Sequence, residues 1–473
     1  METINLINDF VWSYVVTIVL VGAALYFTFR TKGIQFRFIG DAIRVILGRD
    51  EDTHESLYPS GKKIGSFRAF AASLASRVGT GNLAGVASAI FIGGPGAVFW
   101  MWLMAFFGAA TAFFEATLAQ LYKKRGADAF YGGPAYYMET GLGKKWMGAL
   151  FSILMILSFG MAQNVVQSQT IISSLSDSFA LDPVAVAIAL AALLFVIVVG
   201  GVMRISLIVS YIVPFMAIGY LIIAIVVICM NLSAVPGVLA LIVKSAFGIR
   251  QVGGGMIGAA ILQGVKRGLF SNEAGEGSTP NAAAIADTSH PVKQGLVQAL
   301  GVFVDTIVIC SCTAFIILLS GQLGSGDDGI ILTSRSLESQ IGHAGKYFIT
   351  IAIFLFAFST VIANYYYGET NVRYLFSRRS ASAEKAAVNT FRAISLVMVL
   401  LGAFLTLQTA WAFVDLSMGF LTLVNVVALA LLSSRGFKLV ADYKRQRKAG
   451  VKDPVFHKRE VFSDEADRLE GWK

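Results

Sequence analysis

Two apolar segments of this chain, far apart in the sequence, are interrupted by the same pattern of glycines and polar residues. The first reads RVGTGNLAGVAS at residues 77–88, and the second reads RGLFSNEAGEGS at residues 267–278. Arginine, asparagine, alanine, glycine and serine recur at one constant offset between them. In a bilayer, a helix breaks in this way only where its freed backbone groups are buried in protein or line a cavity. The matched pattern therefore predicts two broken membrane helices in related halves of one fold.

The composition assigns the chain to the membrane. Of its 473 residues, 56% are hydrophobic and only 14% are charged, whereas a water-soluble domain carries roughly 25% charged residues. Apolar runs of spanning length recur from end to end, so we predict an all-α polytopic membrane protein. The net charge of +9 lies in loops and in the C-terminal tail, and it does not indicate a nucleic-acid partner.

Eleven transmembrane helices are predicted, each judged against the ~20 residues needed to cross a bilayer. The first has no positively charged start and is too long for a signal peptide, so we expect it to be retained. The predicted spans are 9–29, 66–92, 96–121, 147–174, 184–201, 206–230, 253–285, 293–320, 346–375, 390–408 and 411–433. A further surface helix is expected within 36–48, and a loop with a short helix within 122–146.

The placement of lysine and arginine predicts the orientation of these spans. Most of the 38 basic residues fall in one set of connections, namely 30–68, 123–146, 202–205, 286–293, 373–392 and 434–473. The opposite connections hold Lys244, Arg250, Arg335 and Lys346. We therefore expect the N-terminus outside and the C-terminus in the cytoplasm, which agrees with an odd number of spans.

With this orientation the second span runs outward and the seventh runs inward, so the two broken helices belong to inverted repeats. We predict four parts, listed here in order: an extra N-terminal helix at 1–30, a first five-helix repeat at 64–230, a second at 250–433, and a solvated cytoplasmic tail at 434–473. Matched interrupted helices in two inverted repeats are the best pointer in a sequence to the binding site of a secondary transporter.

The first break combines flexible backbone with neutral polar side chains. Gly79, Gly81 and Gly85 weaken helical pairing. Unwinding exposes carbonyls that suit a small hard cation and amide groups that suit a carboxylate. Thr80 and Asn82 add neutral hydrogen-bonding groups. Close helix packing through small residues is the alternative for the glycines alone.

The second break contains Phe270, Ser271, Asn272 and Glu273. A carboxylate at this depth is costly and therefore a functional candidate. Glu273 is compatible with an ion pair to either arginine of the two stretches, with a hydrogen bond to a backbone amide, or with sensing a substrate amine. Phe270 suits the cap of a small apolar substrate side chain, although ordinary packing explains it nearly as well.

Two further spans carry neutral polar pairs. Gln163 and Gln167 share one face of the fourth span and can donate to a carboxylate without bringing a charge. Ser359 and Thr360 in the ninth span offer oxygen ligands for a hard cation. Contacts between helices are the competing explanation for both pairs.

Other function classes find little support in the sequence. Glu115, Asp305 and Asp415 fall in or near spans, and we expect structural pairing for them rather than a proton relay. A channel would need repeated polar rings along a pore. An enzyme would need a catalytic grouping, which the sequence does not show, so we expect no enzyme and no prosthetic cofactor.

Three motifs together resemble the alanine or glycine:cation symporter family, also called sodium:alanine symporters. They are GGPGAVFWMWLMAFFG at 93–108, GTGNLAG at 79–85 and RGLFSNEAG at 267–275, and the resemblance covers nearly the whole chain. It implies a five-plus-five inverted repeat of the leucine-transporter type with one extra N-terminal helix. It also implies sodium-coupled symport of alanine or glycine by alternating access, or alternatively proton-coupled symport, in a prokaryotic inner membrane.

The resemblance also implies roles for individual residues. The expected substrate-binding residues are Thr80, Gly81, Asn82, Gln163, Gln167, Phe270, Ser271 and Asn272. The expected sodium site comprises Gly79, Gly81, Ser359 and Thr360. The partners implied are a small neutral amino acid, the coupling sodium ion and membrane lipid, with no nucleic acid, and we expect the monomer to be functional.

Overall fold

The computed structural model describes residues 2–48, 63–126, 129–248 and 254–472. Apart from a two-residue antiparallel strand pair, Lys124–Arg125 with Phe130–Tyr131, its regular structure there is helical. Seven of the described helices are long and apolar enough to cross a membrane. Part of the 30–68 connection, Arg250 and the first residue of the seventh predicted span lie outside the described residues.

The helical content confirms the predicted fold class, and every predicted span corresponds to helical structure. In chain order, the spans are formed by Leu6–Thr31, Ser66–Arg77 with Gly81–Gly93, Gly96–Leu121, Lys145–Phe179, Pro183–Val198, Gly201–Met230, Gly254–Asn272 with Pro280–Ala283, Pro291–Ser320, His343–Phe376, Ala381–Leu401 and Leu407–Lys448. The tenth begins at Ala381 rather than at 390, because the Ser380 hydroxyl accepts a hydrogen bond from Ala383 N and caps the helix there.

The second span is broken where the sequence predicts. Its first half ends at Arg77, and Val78 leaves the helical conformation with φ −82° and ψ 84°. The second half begins at Gly81, after a gap of three residues at 78–80. Because only three residues separate them, the C-terminal end of the first half-helix lies close to the N-terminal end of the second.

The seventh span is broken more widely. Gly254–Asn272 is followed by non-helical backbone and then by the single turn Pro280–Ala283. Three residues in the gap adopt positive φ, namely Glu273 at 55°, Gly275 at 98° and Gly277 at 82°. Glycine takes up such angles without steric cost, which explains the glycines at two of these three positions.

Shorter helices occupy the connections. They are Ile34–Arg37, Ile39–Ile46, Pro134–Tyr136, Tyr137–Gly141, Val235–Ala246, Gln322–Gly324, Gly329–Ile341, Lys458–Val461 and Ala466–Arg468. The first two match the surface helix expected within 36–48, and Pro134–Gly141 lies in the connection 122–146. The helix Gly329–Ile341 is not among the predicted elements; it packs on the first break, where the Thr333 hydroxyl donates to Leu83 O at 3.0 Å.

The prediction of a solvated tail after residue 434 is wrong. The last span continues as a helix to Lys448, and the chain then folds back against the bundle. Phe456, Phe462 and Leu469 are buried in the main hydrophobic core. The physical reason is that apolar residues are dispersed among the charges of this tail, so that one side of it can be buried while the charges remain at the surface.

Candidate functional site

The two broken helices meet directly at Gly81. A Cβ on this glycine would lie 2.8 Å from Phe270 Cδ1 and 3.2 Å from Ser271 Cα, both on the seventh span. Only a residue without a side chain allows this approach. The two breaks therefore contact each other directly in the fold.

Asp305 joins both breaks to the eighth span, Pro291–Ser320. Its Oδ1 accepts a hydrogen bond from Asn82 Nδ2 at 2.7 Å. Its Oδ2 accepts from Ser271 Oγ at 2.7 Å and from Thr306 Oγ1 at 2.9 Å. All four side chains are buried. We expected only structural pairing for Asp305 and did not predict that it lies between the breaks. A carboxylate inside an apolar span was the feature of the sequence that could have indicated this position.

Neutral acceptors hold the freed backbone amides of the first break. Asn82 Oδ1 accepts from Gly79 N at 2.9 Å, and Gln167 Oε1 accepts from Thr80 N at 3.1 Å. The Thr80 hydroxyl is buried and has no hydrogen-bond partner among the residues that the structure describes. Within the described residues, the first break thus contains a hydroxyl without a hydrogen-bond partner. The backbone amides beside it donate to neutral side-chain oxygens, which a ligand could replace.

Thr360 and Ser359 separate into different surroundings. Thr360 Oγ1 donates to Ala75 O at 2.8 Å, at the carbonyl end of the half-helix Ser66–Arg77. A Cβ on Gly79 would overlap Thr360 Oγ1, so the glycine makes room for this hydroxyl. Both hydroxyls also lie within hydrogen-bond distance of Phe356 O, Thr360 at 3.0 Å and Ser359 at 2.8 Å, and Ser359 Oγ further contacts Met216 Sδ at 3.7 Å. Only Thr360 of the predicted pair contacts the break in these hydrogen bonds.

The matched arginine of the first break holds the second break in place. Arg77 Nε donates to Asn272 O at 2.9 Å, Nη1 to Gln298 O at 3.1 Å, and Nη2 to Thr279 Oγ1 at 3.2 Å. The guanidinium therefore caps the carbonyl end of Gly254–Asn272. A charged donor at that end complements the partial negative charge of the helix dipole.

Glu273 takes neutral partners rather than an arginine. Its carboxylate accepts hydrogen bonds from the hydroxyls of Ser76 and Ser278. The serines lie one on each broken helix, so Glu273 ties the half-helix Ser66–Arg77 to the second break. Of the alternatives left open by the sequence, a direct ion pair with an arginine is not the contact that the structure shows.

Two predicted site residues have other contacts. Asn272 donates from Nδ2 to Thr306 Oγ1 at 3.3 Å and accepts from Ala274 N at 3.0 Å, so it shapes the turn of the second break. Gln163 is buried, and its Nε2 has no hydrogen-bond partner within the described part of the chain. Its contact with the junction stays a prediction.

An aromatic and ionic group closes one side of the junction. Trp411 packs edge-on against Phe270, with ring centroids 4.5 Å apart. The Arg267 guanidinium lies 4.0 Å from the Trp411 ring centroid and forms an ion pair with Asp415 at 3.3 Å. Trp411 and Asp415 both belong to the last span, Leu407–Lys448. Sequence reasoning missed Trp411, because no local pattern connects it with the distant seventh span.

Two broken helices that meet at a buried polar junction, within a bundle of spanning helices, define the class of secondary transporters. The chain belongs to the sodium:alanine symporter family, since the model of that family matches residues 1–458.

Relatives along nearly the whole chain agree with this assignment. The amino-acid carrier protein AlsT of Bacillus subtilis is 48% identical, over 97% of this chain and 95% of its own length. The probable sodium/glutamine symporter GlnT of the same organism is 47% identical, over 96% and 93%. A sodium/proton-dependent alanine carrier protein of Bacillus sp. PS3 is 38% identical, over 83% and 91%.

Solved structures share the fold. MhsT in complex with L-phenylalanine superposes with a TM-score of 0.55 at 16% identity, over 88% of this chain and 97% of that one. A sodium-coupled sialic acid symporter superposes with a TM-score of 0.54 at 15% identity, over 91% and 86%. Both are transporters of the leucine-transporter fold, which confirms the predicted five-plus-five architecture with an extra N-terminal helix.

Proposed function

We propose that this protein is a sodium-coupled symporter of a small neutral amino acid, alanine or glycine, that works by alternating access. The main support is the junction of the two breaks. Neutral donors and acceptors, one buried carboxylate and an aromatic wall meet there, and Thr360 lies beside a carbonyl end of the first break. This set suits a zwitterion next to a small hard cation.

The substrate is proposed to lie between the two breaks. Its carboxylate would exchange for the neutral acceptors on the amides near Thr80, with Gln167 turning its amide group as donor. Its ammonium would be met by oxygens around Ser271 and by the Asp305 carboxylate. Phe270, held against Trp411, would limit the size of the side chain. The names of the alanine-carrier relatives are consistent with a small substrate.

The sodium ion is proposed to bind between the first break and the ninth span. Thr360 is the stronger ligand candidate, because its hydroxyl already lies 2.8 Å from the Ala75 carbonyl oxygen. A cation there would fix the broken helix and so complete the substrate site. Linkage then requires that sodium and substrate raise the affinity for each other by the same factor.

The cellular setting is proposed from charge and from the relatives. Basic connections favour an N-terminus outside and a C-terminus in the cytoplasm. The bacterial relatives favour the inner membrane of a prokaryote. The monomer contains both breaks and is proposed to suffice for transport.

Uptake into proteoliposomes driven by an imposed ion gradient tests this function. Labelled alanine, glycine and glutamine are offered to the purified protein with an imposed sodium gradient, an imposed proton gradient or neither. We expect alanine or glycine to accumulate with the sodium gradient and glutamine to accumulate much less. Accumulation driven by protons and indifferent to sodium would favour proton-coupled symport instead. Equilibration without accumulation would contradict symport altogether.

A single methyl group at the junction should impair transport. In Gly81→Ala the added Cβ would lie 2.8 Å from the Phe270 ring, which must shift into the proposed substrate site. Overpacking of this kind costs about 1–3 kcal/mol, so we expect uptake to fall about tenfold or more. Gly85→Ala is the matched control, because its nearest neighbour is Thr80 O at 3.8 Å. Equal uptake by the two variants would remove Phe270 and Gly81 from the site.

A further inference from the structure

The C-terminal segment, defined as residues 449–472, folds back onto the end of the third span. Trp472 Nε1 donates to Gln120 O at 3.0 Å. The Lys123 side chain is buried, and its Nζ lies 4.5 Å from the Trp472 ring centroid and 4.0 Å from that of Phe130. This is cation–π geometry on two aromatic rings. The segment thus helps to cover a buried lysine just beyond the end of the third span.

The same segment also holds the link that follows the second break. This link is residues 284–290, between the single turn Pro280–Ala283 and the eighth span. Ser289 O accepts from Phe456 N at 2.9 Å, and the Ser289 hydroxyl donates to Pro454 O at 2.9 Å.

The covered lysine joins the link to the third span. Lys123 Nζ donates to Ala286 O at 2.9 Å, and Gln120 Nε2 donates to the same carbonyl at 3.0 Å. At the far side of the link, Lys293 forms an ion pair with Asp453 of the segment. The link is therefore fixed to the third span and to the C-terminal segment at the same time.

A small number of buried apolar side chains anchor the segment. Ordering a residue costs about 1–2 kcal/mol of backbone entropy, so an ordered segment needs compensating burial. Phe456, Phe462, Leu469 and Trp472 contribute to it, because each is at most 8% exposed. The segment is thus held by a few concentrated contacts, and the loss of one aromatic side chain should release much of it.

A cavity of about 520 Å³ opens beside these contacts. It is lined by Phe130, which packs on Lys123, and by Tyr366 and Glu369 of the ninth span. Tyr366 OH donates to Asn281 O at 3.3 Å, in the turn that follows the second break. Tyr366 therefore connects the wall of this cavity to the turn that follows the second break.

We propose that the C-terminal segment is a latch that holds the link 284–290 and keeps the cytoplasmic pathway from the junction closed. The latch rests on the proposed transport function and orientation. When the segment is docked, the link and the turn before it cannot move away from the third span. Release of the segment frees the link on that side of the broken helix, and a cytoplasmic pathway to the junction can then open.

Cysteine labelling of the full-length chain tests the latch. Ala286, which is buried in the link, is replaced by cysteine, and its reaction with a membrane-impermeant maleimide is measured in inside-out vesicles. Labelling of the chain without Ala286→Cys is subtracted as background from the native cysteines. We expect Trp472→Ala and removal of residues 449–473 each to speed this labelling about tenfold or more. Trp146→Ala is the matched control, because Trp146 is 66% exposed and lies outside the segment.

The outcomes separate the latch from the proposed function. If both variants retain sodium-driven alanine uptake but the introduced cysteine reacts at the parent rate, the latch is wrong and the symport proposal stands. If the unmodified chain itself lacks sodium-driven uptake, the symport proposal is the one that fails. If neither purified variant shows a cooperative thermal unfolding transition in detergent, the segment is required for folding. That result also overturns the latch.

Discussion

Thr360→Ala is expected to raise the sodium concentration needed for half-maximal uptake by roughly 10- to 100-fold. The Thr360 hydroxyl lies at the carbonyl end of the half-helix Ser66–Arg77, 2.8 Å from Ala75 O. A hydrogen bond to a charged group contributes about 1.5–3 kcal/mol, and we expect a hydroxyl ligand of the sodium ion to contribute a similar amount. Initial rates of alanine uptake across a series of sodium concentrations, with choline as replacement, measure it.

The adjacent Ser359→Ala is the sharpest control for this prediction. Ser359 Oγ donates to Phe356 O of its own helix and contacts Met216 of the sixth span. We therefore expect a smaller change in sodium affinity than for Thr360→Ala, and Thr360→Ser should restore most of the loss. If Ser359→Ala has the larger effect, or if neither variant alters sodium affinity, the cation site lies elsewhere.

The neighbouring pair also shows how far sequence reasoning reaches. Composition and apolar run length predict the spans, and glycines in apolar segments predict both breaks, because these signals are local. Successive residues of a helix point about 100° apart. Which of Ser359 and Thr360 faces the first break depends on how the ninth span is rotated in the bundle, and this rotation is set by long-range packing.

The position of Asp305 and the packing of the C-terminal segment could not be predicted either, because both depend on contacts between distant parts of the chain. A buried carboxylate is visible in the sequence, but two of its three donors, Asn82 and Ser271, lie on other spans, and only Thr306 is its neighbour in the chain. The segment after Lys448 is rich in charge, which favours a solvated tail. Its few aromatic residues outweigh that charge only because the ends of the third and eighth spans form a surface that can receive them.

The second large effect is expected at Asp305, which connects the two breaks through hydrogen bonds. In Asp305→Asn one acceptor oxygen becomes an amide that can only donate, facing either Asn82 Nδ2 or the hydroxyls of Ser271 and Thr306. Each buried donor that loses its acceptor costs about 1–3 kcal/mol. The variant also removes the negative charge proposed to balance the substrate ammonium. We therefore expect alanine uptake to fall roughly a hundredfold or more.

The reason for the loss at Asp305 can be separated from misfolding. Asp9→Asn is the matched control, because Asp9 is an exposed residue of the first span and the same change there should leave uptake unaltered. Binding of labelled alanine to detergent-purified Asp305→Asn measures the site directly, and thermal denaturation of the same sample reports folding. A folded variant that does not bind alanine assigns Asp305 to the substrate site. A folded variant that binds alanine and transports it with normal sodium dependence would show that a neutral acceptor suffices, and the ammonium would then need another counter-charge.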